Sequence, residues 1–109
     1  MKKVLFHAHE LDDWSKVIAS ARNALADLVN VDIVILGNGP AVQIVSHPDI
    51  ASKAEPLLEK GVTFELCGHA LAAQELTQEQ AEAIHFTYVP SGVVELIARQ
   101  EDGYAYIRA

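Results

Sequence analysis

The segment Val31–Leu36 limits the possible folds most strongly, because it is apolar at all but one position and rich in β-branched residues. A strand of this kind is buried on both faces, which is typical of a parallel sheet covered by helices. Other short strands are predicted at residues 3–8, 62–66, 84–89 and 104–108. Segments with helical spacing separate them. This alternating order predicts an α/β fold, a three-layer α/β/α sandwich around a mostly parallel five-stranded sheet.

Capping residues mark several of the helices between the predicted strands. Asp12 or Asp13 is expected to begin the first helix, which has apolar residues at three- and four-residue steps. Thr77 and the glutamine three residues later have the pattern of a capping box, and Ser91 precedes the helix after the fourth strand. Pro56 lies within the pattern of the helix before the third strand, so that helix is expected to kink or to start late.

The length of 109 residues predicts a single domain over residues 1–109, with half of the residues apolar and available for one core. The net charge of −7 argues against nucleic acid as a partner, because phosphate binding needs clustered Lys and Arg. No segment approaches the roughly 20 apolar residues that span a bilayer, so we expect no membrane partner. The single cysteine excludes an internal disulfide and fits a reducing compartment. These features predict a soluble, cytoplasmic protein.

A chain of this size has few residues available to cover both faces of a five-stranded sheet. Self-association into a homo-oligomer is therefore expected. Tyr104 and Tyr106 lie near the carboxyl terminus, where they are predicted either at such an interface or in ordinary sheet packing.

In parallel sheets, ligands bind beyond the carboxyl ends of the strands. The residues that this chain places after its predicted strands are therefore the candidates for a site. They are His7 and His9 after the first strand, Asn38 and Gly39 after the second, Cys67 and His69 after the third, and Tyr88, Ser91 and Gly92 after the fourth.

Cys67 is the candidate nucleophile among these residues. It ends the third strand, and Gly68 and His69 begin the next predicted helix. The free amides and positive dipole at a helix start can lower a cysteine pKa from about 8.5 to between roughly 3.5 and 7.5. His69 could pair with the thiolate. The alternative is that Cys67 is buried and acts as a small hydrophobic residue of the core.

His7 and His9 lie two residues apart and point the same way if both belong to the strand. Together with Cys67 and His69 they offer nitrogen and sulfur ligands of the kind that zinc prefers. This spacing is not a specific metal signature, so we predict no metal and interpret the two histidines as polar strand-end residues, with zinc as the alternative. No cofactor is predicted either, because the turn 37–40 lacks the lysine and hydroxyl residue of a phosphate-binding loop.

Four parts of the chain form a distinctive set: the strand Phe64–Cys67, the step Cys67–Leu71 into a helix, the strand Val31–Leu36 with its glycine turn, and a tail with the segments Val89–Leu96 and Gln100–Ile107. On these residues the chain resembles the DsrE/DsrF-like family of small intracellular sulfur-relay-type α/β proteins, and the tail resembles an uncharacterised single-chain branch. The resemblance implies trimers or hexamers of α/β/α subunits, and a persulfide carried on Cys67. Sulfur donor and acceptor proteins are then the implied partners.

Two hypotheses follow for the function. In the first, the protein is a sulfur carrier: Cys67 holds the sulfane sulfur, His69 tunes the thiol or donates a proton, and His7, His9, Asn38, Gly39, Ser91 and Gly92 line the pocket. In the second, the protein is a non-catalytic oligomeric module that binds a small ligand or regulates a partner, and Cys67 is structural. The reactivity of Cys67 against pH separates the two hypotheses.

Overall fold

The computed structural model describes residues 1–109 and contains one sheet of five strands, all paired in parallel. The strands are β1 (Lys2–Ala8), β2 (Val31–Gly37), β3 (Thr63–Cys67), β4 (Thr87–Val89) and β5 (Ala105–Arg108). Their order across the sheet is β4-β3-β2-β1-β5. The predicted fold class is confirmed, and the sheet is parallel throughout.

Six α-helices connect the strands. They are α1 (Asp13–Asp27), α2 (Pro48–Ala51), α3 (Glu55–Glu59), α4 (Gly68–Ala73), α5 (Gln78–Ala83) and α6 (Gly92–Glu101), and two 3₁₀ helices span Gly39–Ser46 and Ser52–Ala54. The segment around Pro56 is divided into three short helical pieces rather than one helix, as the proline predicted. The capping box at Thr77 is confirmed, and the Ser91 hydroxyl accepts a hydrogen bond from the Val94 amide.

The direction of the crossovers decides which helices cover which face of the sheet. The first three connections step in one direction from β1 to β4, whereas the last returns across the sheet to the far side of β1. Because parallel crossovers are right-handed, this reversal puts α6 on the opposite face from α1. The larger core lies under α1, around Trp14, Phe64 and Phe86. The smaller core lies on the α6 face and contains Leu5, Val34, Leu36, Val89 and Tyr104.

The fourth strand is shorter than predicted. It begins at Thr87 and not at Ile84, because residues 84–86 complete the end of α5. His85 has a φ of 64°, and the amide of Phe86 donates to the carbonyl of Ala81. The apolar residues there close the end of α5. The prediction had assigned them to the strand.

None of the helices combines the length and the apolar character that crossing a membrane requires.

Candidate functional site

The candidate residues lie together at the carboxyl ends of the strands, as expected for a parallel sheet. Cys67 is the last residue of β3, Asn38 follows β2, and His7 and His9 lie at the end of β1. The turn before α6 brings Gly92 over the ends of β2 and β3, since a Cβ added to Gly92 would lie 3.3 Å from the Cys67 sulfur and 3.4 Å from the Asn38 Cβ. Asn38, Cys67 and Gly92 therefore meet at one point.

The Cys67 sulfur accepts a hydrogen bond from the backbone amide of Gly92, with an N···S distance of 3.2 Å. Gly92 is the first residue of α6, so this amide is one of the donors that the helix itself leaves unpaired. Cys67 also occupies the N-cap position of α4, but its side chain makes no capping hydrogen bond there. The amide donor predicted from the helix after Cys67 thus comes from α6 instead.

Cys67 is buried, with 7 % of its surface exposed in the single subunit. Gly92 makes this arrangement possible, because any side chain at that position would crowd the thiol: its Cβ would lie 3.0 Å from the Cys67 Cβ. The glycine leaves room beside the sulfur and brings its own amide close to it.

Two imidazole rings share one oxygen next to the thiol. His7 Nε2 lies 2.8 Å from Asn38 Oδ1, and His9 Nδ1 lies 3.0 Å from the same atom. A carbonyl oxygen only accepts hydrogen bonds, so both of these ring nitrogens carry a proton. The other nitrogen of His7 faces the Tyr106 hydroxyl at 2.6 Å.

This network assigns a role to each ring. In neutral His7 the proton lies on Nε2, and Nδ1 accepts from Tyr106. In neutral His9 the proton lies on Nδ1, and Nε2 makes no hydrogen bond within the chain. His9 therefore has a free basic nitrogen, whereas both nitrogens of His7 are used to hold Asn38 and β5 in place.

The backbone around His9 and Asn38 is fixed by several contacts. Gly39 has a φ of 52°, and a Cβ there would collide with the His9 ring at 2.5 Å, so only glycine fits. The Gln74 amide donates to the Gly39 carbonyl at 2.9 Å and joins α4 to this turn. The Asp13 carboxylate accepts from the amides of His9 and Glu10. The hydrogen bond from Glu10, with that from His9, holds the pKa of Asp13 below its usual value.

His69 is exposed on the first turn of α4 and makes no hydrogen bond to Cys67 or to any other residue. Its predicted role beside the thiol stays a prediction. Ser91 is half-buried, and its hydroxyl is used to cap α6. No three side chains of the His, Cys, Asp and Glu types are grouped as metal ligands would be.

Sequence reasoning missed a charged cluster beneath α6. Glu65 is the one buried polar or charged residue of the chain, and it pairs with Arg99 at 2.9 Å. Burial raises the pKa of Glu65 to about 7, the carboxyl of Glu95 also raises it, and Arg99 opposes the rise. Burial and a hydrogen bond to Asp32 likewise raise the pKa of Tyr104. The signal in the sequence was a glutamate inside an apolar strand, two residues before Cys67.

The larger concavities of the subunit lie away from the thiol. One of about 420 Å³ lies beside α1 near Ser15 and Arg22, and another of about 460 Å³ lies beside α3 near Glu59 and His85. A third, of about 180 Å³, is also lined by His85. None of the three is lined by Cys67.

Comparison with known proteins agrees with this architecture. The model of the DsrE/DsrF-like family matches residues 4–109. The protein of unknown function MTH1491 from Methanobacterium thermoautotrophicum is 31 % identical over all of both chains, with a TM-score of 0.89. The conserved protein of unknown function BT1422 from Bacteroides thetaiotaomicron shares the fold at 13 % identity, covering 99 % of this chain and 95 % of its own, with a TM-score of 0.80. No protein of curated function matches the chain.

Proposed function

The chain belongs to the DsrE/DsrF-like family, and from this premise we propose that it is a sulfur carrier that holds a persulfide on Cys67. The observation that carries the proposal is the hydrogen bond from the Gly92 amide to the Cys67 sulfur at the start of α6. Members of this family that act in sulfur relay carry the persulfide on the cysteine that Cys67 resembles. The matched solved structures are described as of unknown function, so the site of this chain provides the argument.

In the proposal, the Gly92 amide at the start of α6 donates to the Cys67 thiolate. A hydrogen bond to a charged acceptor contributes about 1.5–3 kcal/mol, because the charge strengthens it. The thiolate is the nucleophile in sulfur exchange, and it is also the leaving group when the sulfur is passed on. One amide donor therefore assists both halves of the cycle.

The proposed cycle needs no external oxidant or reductant. The Cys67 thiolate attacks the outer sulfur of a donor persulfide, so a sulfur–sulfur bond forms at Cys67 while the donor's sulfur–sulfur bond breaks and the donor leaves as a thiolate. An acceptor thiolate then attacks the outer sulfur on Cys67. The new persulfide forms on the acceptor, and Cys67 returns to the thiolate. The proton stays with the outer sulfur or exchanges with water.

The neighbouring residues then have defined tasks. Asn38 and Gly92 line the site beside the sulfur, and His7 holds Asn38. His9, packed against Gly39, has its free Nε2 available to exchange a proton at the edge. In the proposal His69, exposed on α4, meets the donor or acceptor from the solvent side, and Ser91 keeps the start of α6 in place.

Incubation with a cysteine desulfurase and cysteine tests the proposal by mass spectrometry. The expected result is one added sulfur, located on Cys67, which dithiothreitol removes and which does not form in Cys67→Ser. An acceptor thiol added afterwards should collect the sulfur. Absence of the adduct, together with slow alkylation of Cys67 at neutral pH, would contradict the proposal.

The burial of Cys67 favours a second candidate function, a non-catalytic binding or regulatory module in which the thiol is structural. In that case alkylation should require unfolding, and Cys67→Ala should leave the ligand binding of the protein nearly unchanged. The pH profile of alkylation in the folded protein decides between the two, since a midpoint well below that of a free thiol supports the carrier.

We further propose that the protein works as a homo-oligomer, a trimer or hexamer, in the cytoplasm, with sulfur donor and acceptor proteins as partners. Five large apolar side chains on α6 and β5 support self-association because they are exposed in the single subunit: Val93, Val94, Ile97, Tyr106 and Ile107. Light scattering behind a sizing column measures the oligomer, and a monomer at micromolar concentration would contradict this part.

A further inference from the structure

Arg99 lies at the centre of the charged cluster beneath α6 and contacts three side chains. Its guanidinium donates to Glu65 Oε2 at 2.9 Å, to Glu95 Oε2 at 3.0 Å and to the Tyr104 hydroxyl at 3.2 Å. The Tyr104 hydroxyl in turn donates to Asp32 on β2. The cluster therefore joins α6 to β3, to β2 and to the residue before β5.

The cluster contains more carboxylate than its cation neutralises. Glu65 and Glu95 share one guanidinium, and the second oxygen of Glu65, Oε1, is buried without a hydrogen-bond partner. Removal of one partner from such an arrangement lowers the stability of the fold, because the remaining charge is then buried without a partner. Here the shared guanidinium joins one element to another in a fixed register.

The register held here is that of α6 on β3. Glu65 and Cys67 are two residues apart on β3 and face the same side, so α6 touches β3 at two points: the Gly92 amide at Cys67, and Arg99 at Glu65. Arg99 lies two helical turns, about 10 Å, beyond Gly92, whereas Glu65 lies only about 7 Å back from Cys67 along the strand. A long side chain directed toward the helix start spans this difference.

We infer that Arg99 is a positioning residue for the thiol: by fixing α6 to Glu65, it holds the Gly92 amide against the Cys67 sulfur. The inference rests on the proposed function, since a carrier needs this thiolate, and it adds the group that keeps the thiolate's hydrogen-bond donor in place. Arg99 itself touches neither the sulfur nor a substrate, and it acts through α6.

Arg99→Met tests the inference through the thiol rather than through sulfur transfer. The rate of alkylation of Cys67 by iodoacetamide is measured against pH, because the midpoint reports ionisation while the plateau at high pH reports access. Loss of most of the amide contact should move the midpoint up by about one pH unit. The plateau should not fall. Arg22→Met is the matched control, since Arg22 is exposed on α1 and makes no ion pair or hydrogen bond, and it should leave the midpoint unchanged.

The amide proton of Gly92 gives a second measurement. In the native protein its chemical shift should follow the ionisation of Cys67, and in Arg99→Met this dependence should be lost. Arg99→Lys keeps a charge for Glu65 but cannot form the three-way fork, so its midpoint should lie between those of the native protein and Arg99→Met. If Arg99→Met does not fold, Arg99→Lys decides alone.

A folded Arg99→Met with the native midpoint and native Gly92 shift would overturn the inference, as would an Arg99→Lys variant without any change. Failure of this inference is distinguishable from failure of the proposed function. If no persulfide forms on the native protein but the midpoint still depends on Arg99, the sulfur-carrier proposal fails and the positioning role stands.

Discussion

Substitution of Gly92 by alanine should weaken the hydrogen bond from its amide to the Cys67 sulfur without unfolding the protein. An alanine Cβ would lie 3.0 Å from the Cys67 Cβ and 3.3 Å from its sulfur. These distances are shorter than ordinary van der Waals contacts, and the neighbouring atoms belong to the end of a buried strand. The first turn of α6 must therefore retreat by a few tenths of an ångström, which lengthens the N···S distance from 3.2 Å.

The size of the effect follows from the strength of the hydrogen bond. A bond to a charged acceptor contributes about 1.5–3 kcal/mol, and a partial lengthening should lose about 1 kcal/mol of it. That loss corresponds to about a fivefold lower thiolate fraction at pH 7, or an upward move of the alkylation midpoint by about 0.7 pH unit. Replacing glycine by alanine at a compatible backbone position stabilises a protein by about 0.4–1 kcal/mol because it restricts the unfolded chain, which offsets the crowding. The melting temperature should therefore change little.

Alkylation rates measured between about pH 5 and about pH 10 provide the assay, with intact mass as the readout. Glu101→Ala is the control, because Glu101 also lies on α6, is exposed and makes no side-chain hydrogen bond or ion pair. It should leave the midpoint unchanged. An unchanged midpoint in Gly92→Ala, or an equal change in both variants, would refute the idea that the Gly92 amide favours the thiolate.

Three further predictions concern the groups around this site and the helix caps. Because burial raises the pKa of Glu65 from 4.5 to about 7, its neutral form stabilises the fold below pH 4.5. About 3 kcal/mol of the free energy of unfolding should be lost as pH rises through 7. Glu65→Gln should flatten this dependence in urea titrations. Tyr106→Phe should shift the ¹⁵N resonance of His7 Nδ1 and cost about 1 kcal/mol or less, because it removes the 2.6 Å hydrogen bond; an unchanged resonance would contradict the assigned tautomer. Thr77→Ala should cost about 1 kcal/mol in urea denaturation by breaking the capping box, and an unchanged midpoint would show that the cap contributes nothing.

The sequence predicted the fold well where physical signals are local. The apolar segment Val31–Leu36 and the caps at Thr77 and Ser91 each correspond to an element of the structure. Residues 84–86 were assigned to a strand because three apolar or aromatic positions at the end of a helix resemble the start of a strand. The left-handed conformation of His85 that separates the two was not visible in the sequence.

The site was only partly predictable. That Cys67, Asn38, His7 and His9 share an edge follows from the parallel sheet. The identity of the amide donor does not, because it depends on how α6 crosses the sheet on its way from β4 to β5. The contact between Tyr106 and His7 also depends on β5 pairing with β1, and strand order is a property of the whole chain rather than of any segment.

The shortness of β4 affects how the buried Cys67 thiol becomes accessible to other molecules. This edge strand has three residues and leads through Pro90 and Ser91 directly into the start of α6. A strand paired over three residues has fewer contacts to break on opening than the whole domain has on unfolding. Each transient detachment of β4 would move the start of α6 away from Cys67 while the other strands stay paired. The opening rate of β4, visible as fast hydrogen exchange at Thr87 to Val89, would then set how often the sulfur is accessible to a partner.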